Sequence, residues 1–295
     1  MQETLSHQKS YLKNIRSYIA RLPGLSTTAV KVLETCNNPQ ASPNDLNRLI
    51  SLDPVLTGQV LRLINSAYYS LRHPVSSLTR AIIMLGVNTV KNLVLSFAIL
   101  EQLRRKQSFR TLSAEKFWAH SLGVGVIAKC LAKVKGVSLT DQEEFFVCGL
   151  LHDLGKIPLN HQFPDEYLQA LDLAKRSRLP LAHAEGVVFG FDHGTIGCLI
   201  AEKWRLSPAI NEGLGYHHQP DKSLPENQKL VFIVALADIF SQLLDIGSCE
   251  SATTGTGLAE FLLERVGVDW SNLYDLRDTV EAEIDKAKIF LQISE

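Results

Sequence analysis

The feature that most constrains this chain is the period of its apolar residues. Nearly every segment of the 295 residues repeats them at the three-to-four spacing of a helix face, and none sustains the alternation of a half-buried strand. The expected fold class is all-α. Leu78, Ile82, Leu85, Val90, Leu93, Val94, Phe97 and Leu100 form one broad apolar stripe, which Gly86 divides between two helices. Ser42-Pro43, Asp53-Pro54 and Ser207-Pro208 mark helix starts, since each sets a capping oxygen before a proline whose missing N–H does no harm in a first turn. Thr140 and Glu143 have capping-box spacing ahead of the helix that runs into GLLHDLGK, residues 149–156.

A chain of this length buries a substantial core without cross-links. Its five cysteines, Cys36, Cys130, Cys148, Cys198 and Cys249, include no CxxC pair. They read as buried or half-buried thiols of a reducing compartment, not as a disulfide framework or a zinc cluster. The formal net charge is −1 and the basic residues are dispersed, so direct nucleic-acid binding is not expected. Arg104-Arg105-Lys106 and the basic stretch at 175–178 read as solvated helix ends. The opening MQETLSHQKSYLKNIRSYIARL is amphipathic without a long apolar run, so neither a signal peptide nor a membrane anchor is expected, and a cytoplasmic location is. The polar stretch 104–113 is the expected junction between an N-terminal helical part, 1–110, and a second helical part with C-terminal helices, 111–295. Further turns are expected at 219–227, with a flexible connector at 247–257.

Chemistry concentrates around His152-Asp153. His120 lies in the helix before, His193 in FDHGTIG, His217-His218 in YHHQP and Asp238 in ALADIF. A histidine taken alone in a helical chain is more often packed or exposed than a ligand, and His7, His73, His161 and His183 are left in that class, with His183 noted for standing close to Glu185. As a cluster the set makes more sense. Asp238 and His120 sit inside apolar helices, where an ionisable side chain needs a partner. The pairs 152–153 and 217–218 fall at helix C-termini, whose partial negative charge favours a cation. Gly155 is expected to take the left-handed conformation that stops its helix, and Gly194 and Gly197 to offer a close-approach surface. Nitrogen and oxygen donors without thiolate suit iron or manganese ahead of zinc, magnesium or nickel. Lys156 alone reads as a solvated side chain, and as a phosphate-binding charge only if the cluster is real. Ser113-Ala-Glu-Lys116 has the SxxK spacing of acyl-serine enzymes but no companion motif, so Ser113 reads as a helix cap. TTGTG at 253–257 lacks the ending of a phosphate loop.

The order His120, His152-Asp153, Asp238 resembles the HD superfamily of metal-dependent phosphohydrolases. Leu22-Pro-Gly-Leu25, LISLDPVLTGQVLRLINSAYY (49–69), VSSLTRAIIMLG (75–86) and KNLVLSFAIL (91–100) narrow this. They look like the HDOD family, the HD-related output domain of bacterial signalling proteins, over about residues 20–220. The resemblance implies an N-terminal helical subdomain packed on an HD-like one, serving as a signalling output or scaffold. His120, His152, Asp153, His193, His217, His218 and Asp238 also resemble the ligand pattern of the HD-GYP phosphodiesterases, although no GYP triplet follows His218. By that resemblance Asp153 would bridge two divalent ions, with His120, His152 and Asp238 on one and His193, His217 and His218 on the other. Asp153 and Lys156 would then be the catalytic candidates. Two functions follow as expectations: a regulatory module working through a signalling protein partner or a phosphorylated small-molecule ligand, or a phosphodiesterase acting on a cyclic dinucleotide or another phosphoester.

Overall fold

The computed structural model describes residues 2–36, 38, 40–103, 109–247 and 256–293. The run Arg104-Arg105-Lys106, Cys249, the segment around Thr253 and the side chain of His7 lie outside the described residues. Among the described residues every regular element is helical, as the apolar period requires.

Six helices make the first part: α1 (Gln2–Arg21), α2 (Thr27–Cys36), α3 (Pro43–Ile50), α4 (Pro54–Ile64), α5 (Leu78–Leu85) and α6 (Val87–Leu103). The expected caps are in place. Ser42 accepts from the Asp45 amide while the Asp45 carboxylate takes the Ser42 amide, and Asp53 accepts from the Leu56 amide. Gly86 ends α5 at φ +85°, a backbone that side chains resist, and the chain turns by 112° into α6.

Next come α7 (Ala114–Val134), α8 (Gln142–Leu151), α9 (Lys156–Gln162), α10 (Pro164–Ser177), α11 (Leu181–Phe189), α12 (His193–Lys203), α13 (Pro208–Tyr216) and α14 (Gln228–Leu243). Ser113 caps α7 by accepting from the Lys116 amide. The capping box expected from Thr140 and Glu143 does not form. Asp141 is the N-cap residue and makes no side-chain cap bond, while the Thr140 hydroxyl meets that of Ser138 at 2.8 Å. Glu143 instead turns inward to Lys129. A buried carboxylate that finds an ammonium and two hydroxyls gains more than an exposed cap supplies.

The last helices, α15 (Thr256–Val266), α16 (Trp270–Asp275), α17 (Arg277–Ala287) and α18 (Ile289–Ile293), close the bundle. One apolar cluster runs through it from Ile15 to Ile293. At its centre α7 packs on α8, α14 and α17. By length and composition α7 could cross a membrane, but 78% of its apolar stretch is buried among other helices, which is what a core helix requires.

The first and last helices are tied down far from their sequence neighbours. The α1 helix lies on α9, α11 and α12, and at its end Lys203 donates to the Ala20 carbonyl at 2.8 Å and Trp204 to that of Pro23 at 3.3 Å. The α18 helix returns to α4 and α6, setting the buried Phe290 ring 5.1 Å from Tyr68 and 4.7 Å from Phe146.

Candidate metal centre

Five stretches of chain deliver the polar residues to one place. His120 comes from α7, His152 and Asp153 from the end of α8, His193 from the first turn of α12, His217 and His218 from the end of α13, and Asp238 from α14. Glycines set the spacing. A Cβ on Gly149 would lie 2.8 Å from the Gly125 backbone, so α7 and α8 meet without a side chain between them. A Cβ on Gly194 would lie 2.8 Å from the Gly215 carbonyl, which brings α12 equally close to α13. Gly155 corrects an expectation. It is right-handed, at φ −64°, because residues 152–155 continue as helical turn into α9. What it must lack is bulk, since a Cβ there would sit 1.8 Å from the His193 carbonyl oxygen. Asp192 caps α12 by accepting from the Thr195 amide, which aims the buried His193 at the cluster.

The seven donors form two groups, His120 with His152 and Asp238, and Asp153 with His193, His217 and His218. Asp153 faces both. Its Oδ2 lies 3.7 Å from His120 Nε2 and 3.4 Å from His152 Nε2, while its Oδ1 lies 3.2 Å from His193 Nε2 and 3.8 Å from His217 Nε2. Asp238 Oδ1 is 3.1 Å from His120 Nε2 and also takes a 2.9 Å hydrogen bond from Gln242. Lys156 is buried, with Nζ 2.8 Å from Asp153 Oδ2. The solvated lysine expected of that position alone is therefore not what folds. Of the seven donors only His218 is partly exposed.

Charge is distributed unevenly. Burial works against charging His193, but the carboxylates of Glu185 and Asp153 outweigh it and lift its pKa to about 10. Burial, then the imidazoles of His152 and His193, push His217 down to about 3, and burial lowers His152. At His120 burial is outweighed by the Asp238 carboxylate, and the pKa rises. Against burial, His152, Lys156 and His193 hold Asp153 well below the usual carboxylate range, and His120 and His152 hold Asp238 below it. The ionised carboxylates and the neutral His152 and His217 are in the protonation states that bind a cation, while His193 would give up its proton to an incoming ion.

The cluster is not satisfied by its own members. His152 Nε2 is buried without a hydrogen-bond partner, and Asp153 Oδ1, although 3.2 Å from His193 Nε2, makes no well-directed hydrogen bond. Leaving such groups unmatched is costly, and each belongs in a place where a cation would satisfy it. The donor set thus fits a metal ion. His152 is pre-aimed by Nδ1, 2.7 Å from the Gly149 carbonyl, and His217 by Nδ1, 3.0 Å from that of Leu214. Those contacts place the proton on Nδ1 and leave Nε2 as the donor.

Glu185 escapes sequence reasoning. It is fully buried, and its Oε2 accepts from both the His193 amide, at 2.8 Å, and His193 Nδ1, at 2.6 Å. A glutamate inside the apolar stretch 181–189 is the available signal, but proximity in the chain assigns it to His183, which is exposed. His73 is exposed as well, and His161 lies beside the Tyr18 ring. Among the described cysteines Cys148 is buried, and Cys36, Cys130 and Cys198 are half-buried and free.

Comparison with known proteins identifies the family and the fold. The family model for the HDOD domain matches residues 22–220. An HDOD domain protein of unknown function from Geobacter sulfurreducens superposes with a TM-score of 0.74 at 26% identity, covering 95% of this chain and 98% of that one. A candidate phosphohydrolase from Shewanella amazonensis SB2B gives 0.70 at 25% identity, covering 94% and 97%. A candidate signal transduction protein from Marinobacter aquaeolei VT8 shares the fold, with a TM-score of 0.73 at 18% identity over 98% of this chain and 66% of its own. An uncharacterized protein of Treponema pallidum is 24% identical over 232 residues, which are 79% of this chain but 44% of that protein. The chain thus spans less than half the length of that relative.

Proposed function

The chain belongs to the HDOD domain family, and from that premise we propose that it is a regulatory module built around a dinuclear metal centre. Asp153 presents one oxygen to each donor group, and this observation carries the reading. His120, His152 and Asp238 would hold one ion and His193, His217 and His218 the other, with Asp153 between them. The oxygen and nitrogen donors favour iron or manganese. Ions that join five stretches of chain contribute their binding free energy to the folded state, so occupancy is itself a signal. The signal would reach a protein partner, or answer a phosphorylated small molecule that enters beside His218. A cytoplasmic location suits a centre assembled with free thiols in the same chain.

Hydrolysis of a phosphoester is the second reading. It is favoured by the Lys156 ammonium at 2.8 Å from Asp153 Oδ2, a cation placed where an anionic oxygen would arrive. Divalent ions at this site would supply Lewis acidity and a water of lowered pKa. Lys156 would orient the phosphoryl oxygens, and Asp153 would hold its charge against the cluster throughout.

Elemental analysis of protein purified without chelator tests both readings when run beside a phosphodiesterase screen on the same sample. The screen uses cyclic di-GMP, linear dinucleotides and an aryl phosphodiester. About two ions per chain without turnover supports the regulatory centre, and the same content with turnover transfers the conclusion to the hydrolase. Protein without metal that takes up no Mn(II) or Fe(II) overturns the dinuclear centre.

A further inference from the structure

A second polar cluster lies inside the bundle. The Glu143 carboxylate, 2% exposed on its side chain, is paired with Lys129. It also accepts from the Tyr69 hydroxyl at 3.1 Å and the Tyr68 hydroxyl at 3.4 Å, while Lys129 Nζ lies 2.8 Å from the Tyr68 hydroxyl and 4.3 Å from the centre of its ring. The two tyrosines end the turn NSAYY, of which Asn65 and Ala67 are exposed, as is Ser70 after it. Asn65 makes that turn one unit with the following loop, since its side chain donates to the Val75 carbonyl at 2.8 Å and accepts from the Val75 amide at 2.7 Å.

The partners of this turn sit on α7 and α8, the two helices that carry His120 and His152-Asp153. Lys129 is nine residues from His120, and Glu143 is nine from His152, about 13 Å of helix in each case. The two polar clusters are therefore in register at opposite ends of one antiparallel helix pair. Between them the helices touch backbone to backbone: a Cβ on Gly125 would lie 2.7 Å from the Phe146 carbonyl oxygen, and one on Gly149 2.8 Å from Gly125 Cα. Apart from the Phe146 ring, 3.2 Å from the Gly125 Cβ position, the nearest atoms in that contact are backbone, which leaves little to absorb a slide of α7 along α8. A change in how Lys129 meets Glu143 is thus delivered to His120 and His152, which belong to the same donor group. Shifts of about 1–2 Å at packed helices are the usual size of such switching, and they are large against metal–ligand bonds.

We propose that the turn Asn65–Ser70 is an input to the metal centre, acting through the Tyr68–Tyr69–Lys129–Glu143 cluster and the α7–α8 pair to set metal affinity. The inference rests on the dinuclear reading above and names what regulates that site. Coupling is reciprocal, so metal must also steady the turn. The amides of Tyr68, Tyr69 and Ser70, bonded to the side chain or carbonyl of Ser66, report this by hydrogen exchange. The amides of Gly267 and Val268, bonded to the Leu263 carbonyl, serve as internal controls for any global gain in stability.

Mn(II) titration and hydrogen exchange on the full chain test the proposal. In wild type, Mn(II) slows exchange at 68–70 at least about fivefold more than at the control amides, fivefold being the low end of ordinary coupling. The Tyr68→Phe/Tyr69→Phe variant keeps the rings, loses that response, and changes Mn(II) affinity by a similar factor. Lys129→Met/Glu143→Leu, which removes the charges without leaving one unpaired, does the same should the first variant fold poorly. Asp269→Ala, a cap removed from α16, leaves affinity and response at wild-type values. Mn(II) bound at wild-type strength in both cluster variants, or bound to wild type with exchange at 68–70 slowed no more than at the control amides, overturns the coupling alone. Wild-type protein that binds no Mn(II) overturns the dinuclear centre, and the coupling with it.

Discussion

The two ends of the α7–α8 pair are both buried and polar, yet they are finished differently. At one end Lys129, Glu143, Tyr68 and Tyr69 satisfy one another, and none of their side-chain atoms is among the unpartnered ones. At the other end His152 Nε2 has no partner and Asp153 Oδ1 makes no well-directed hydrogen bond, although imidazoles and carboxylates surround them. The first set escapes the cost of isolated buried polar groups by closing on itself, while the second leaves atoms unmatched that a bound cation would satisfy. Composition does not separate the two clusters; what separates them is that unmatched imidazole and carboxylate atoms converge at one end.

The sharpest way to break that contrast is Asp153→Asn. Losing the charge that faces both donor groups is expected to reduce metal content from about two ions per chain to one or none, at near-native helicity. Equal metal content in mutant and wild type, measured by inductively coupled plasma spectrometry, would remove Asp153 from the coordination.

Lys129→Met probes the self-satisfied end. It leaves a buried carboxylate with two hydroxyls, and breaking one side of such a pair costs about 3–5 kcal/mol. With the lysine side chain 26% exposed, the expected loss in urea unfolding is at the low end, about 3 kcal/mol. A loss below about 1 kcal/mol would mean that the pair behaves as a surface one.

Glu185→Gln removes the charge behind His193 and keeps the shape. Groups that orient a metal-bound histidine are worth about 10- to 100-fold in metal affinity, and isothermal titration with Mn(II) should show a drop in that range. Affinity within twofold of wild type would make Glu185 a packing residue.

Acid should probe the donor cluster as well. In the chelated protein His217 is held at about 3 by burial and its imidazole neighbours, below the unfolded value of about 6.5. A base depressed in the folded state contributes stability above its unfolded pKa, and that contribution fades as pH falls from there toward about 3. His193, lifted to about 10, has the opposite sign, losing its contribution as pH rises through that value. Melting of the chelated protein is therefore expected at lower temperature at pH 5 than at pH 7, with a smaller pH response after metal loading; parallel curves would contradict the neutral His217. The smallest effect belongs to Ser207→Ala, expected to cost about 1 kcal/mol for a helix cap and to loosen the helix that ends in His217-His218.

Much of this is legible in the sequence. The caps Ser42, Asp53, Ser113 and Ser207 are local events, fixed by a side chain and an amide three residues away, and the residue pattern shows them. The seven donors can be grouped because ionisable residues at helix ends and inside apolar helices need partners. Gly155, Glu143 and Glu185 show the limit. Their spacing suggests a helix stop, a cap and a neighbour for His183, but their roles are set by what arrives from elsewhere: the His193 carbonyl, the Lys129 ammonium, the His193 imidazole.

The sequence by itself determined that the chain is helical, where the helices capped by Ser42, Asp53, Ser113 and Ser207 begin, and which side chains were available to hold a cation. Only the tertiary structure decided that Asp153 divides its oxygens between two donor groups, that Lys156 is buried, and that a tyrosine turn and the donor cluster share one helix pair. Period and capping act within a few residues and are written in the chain. Charge pairing and close approach depend on which helices meet, and that is settled when the apolar faces of the whole bundle are buried together.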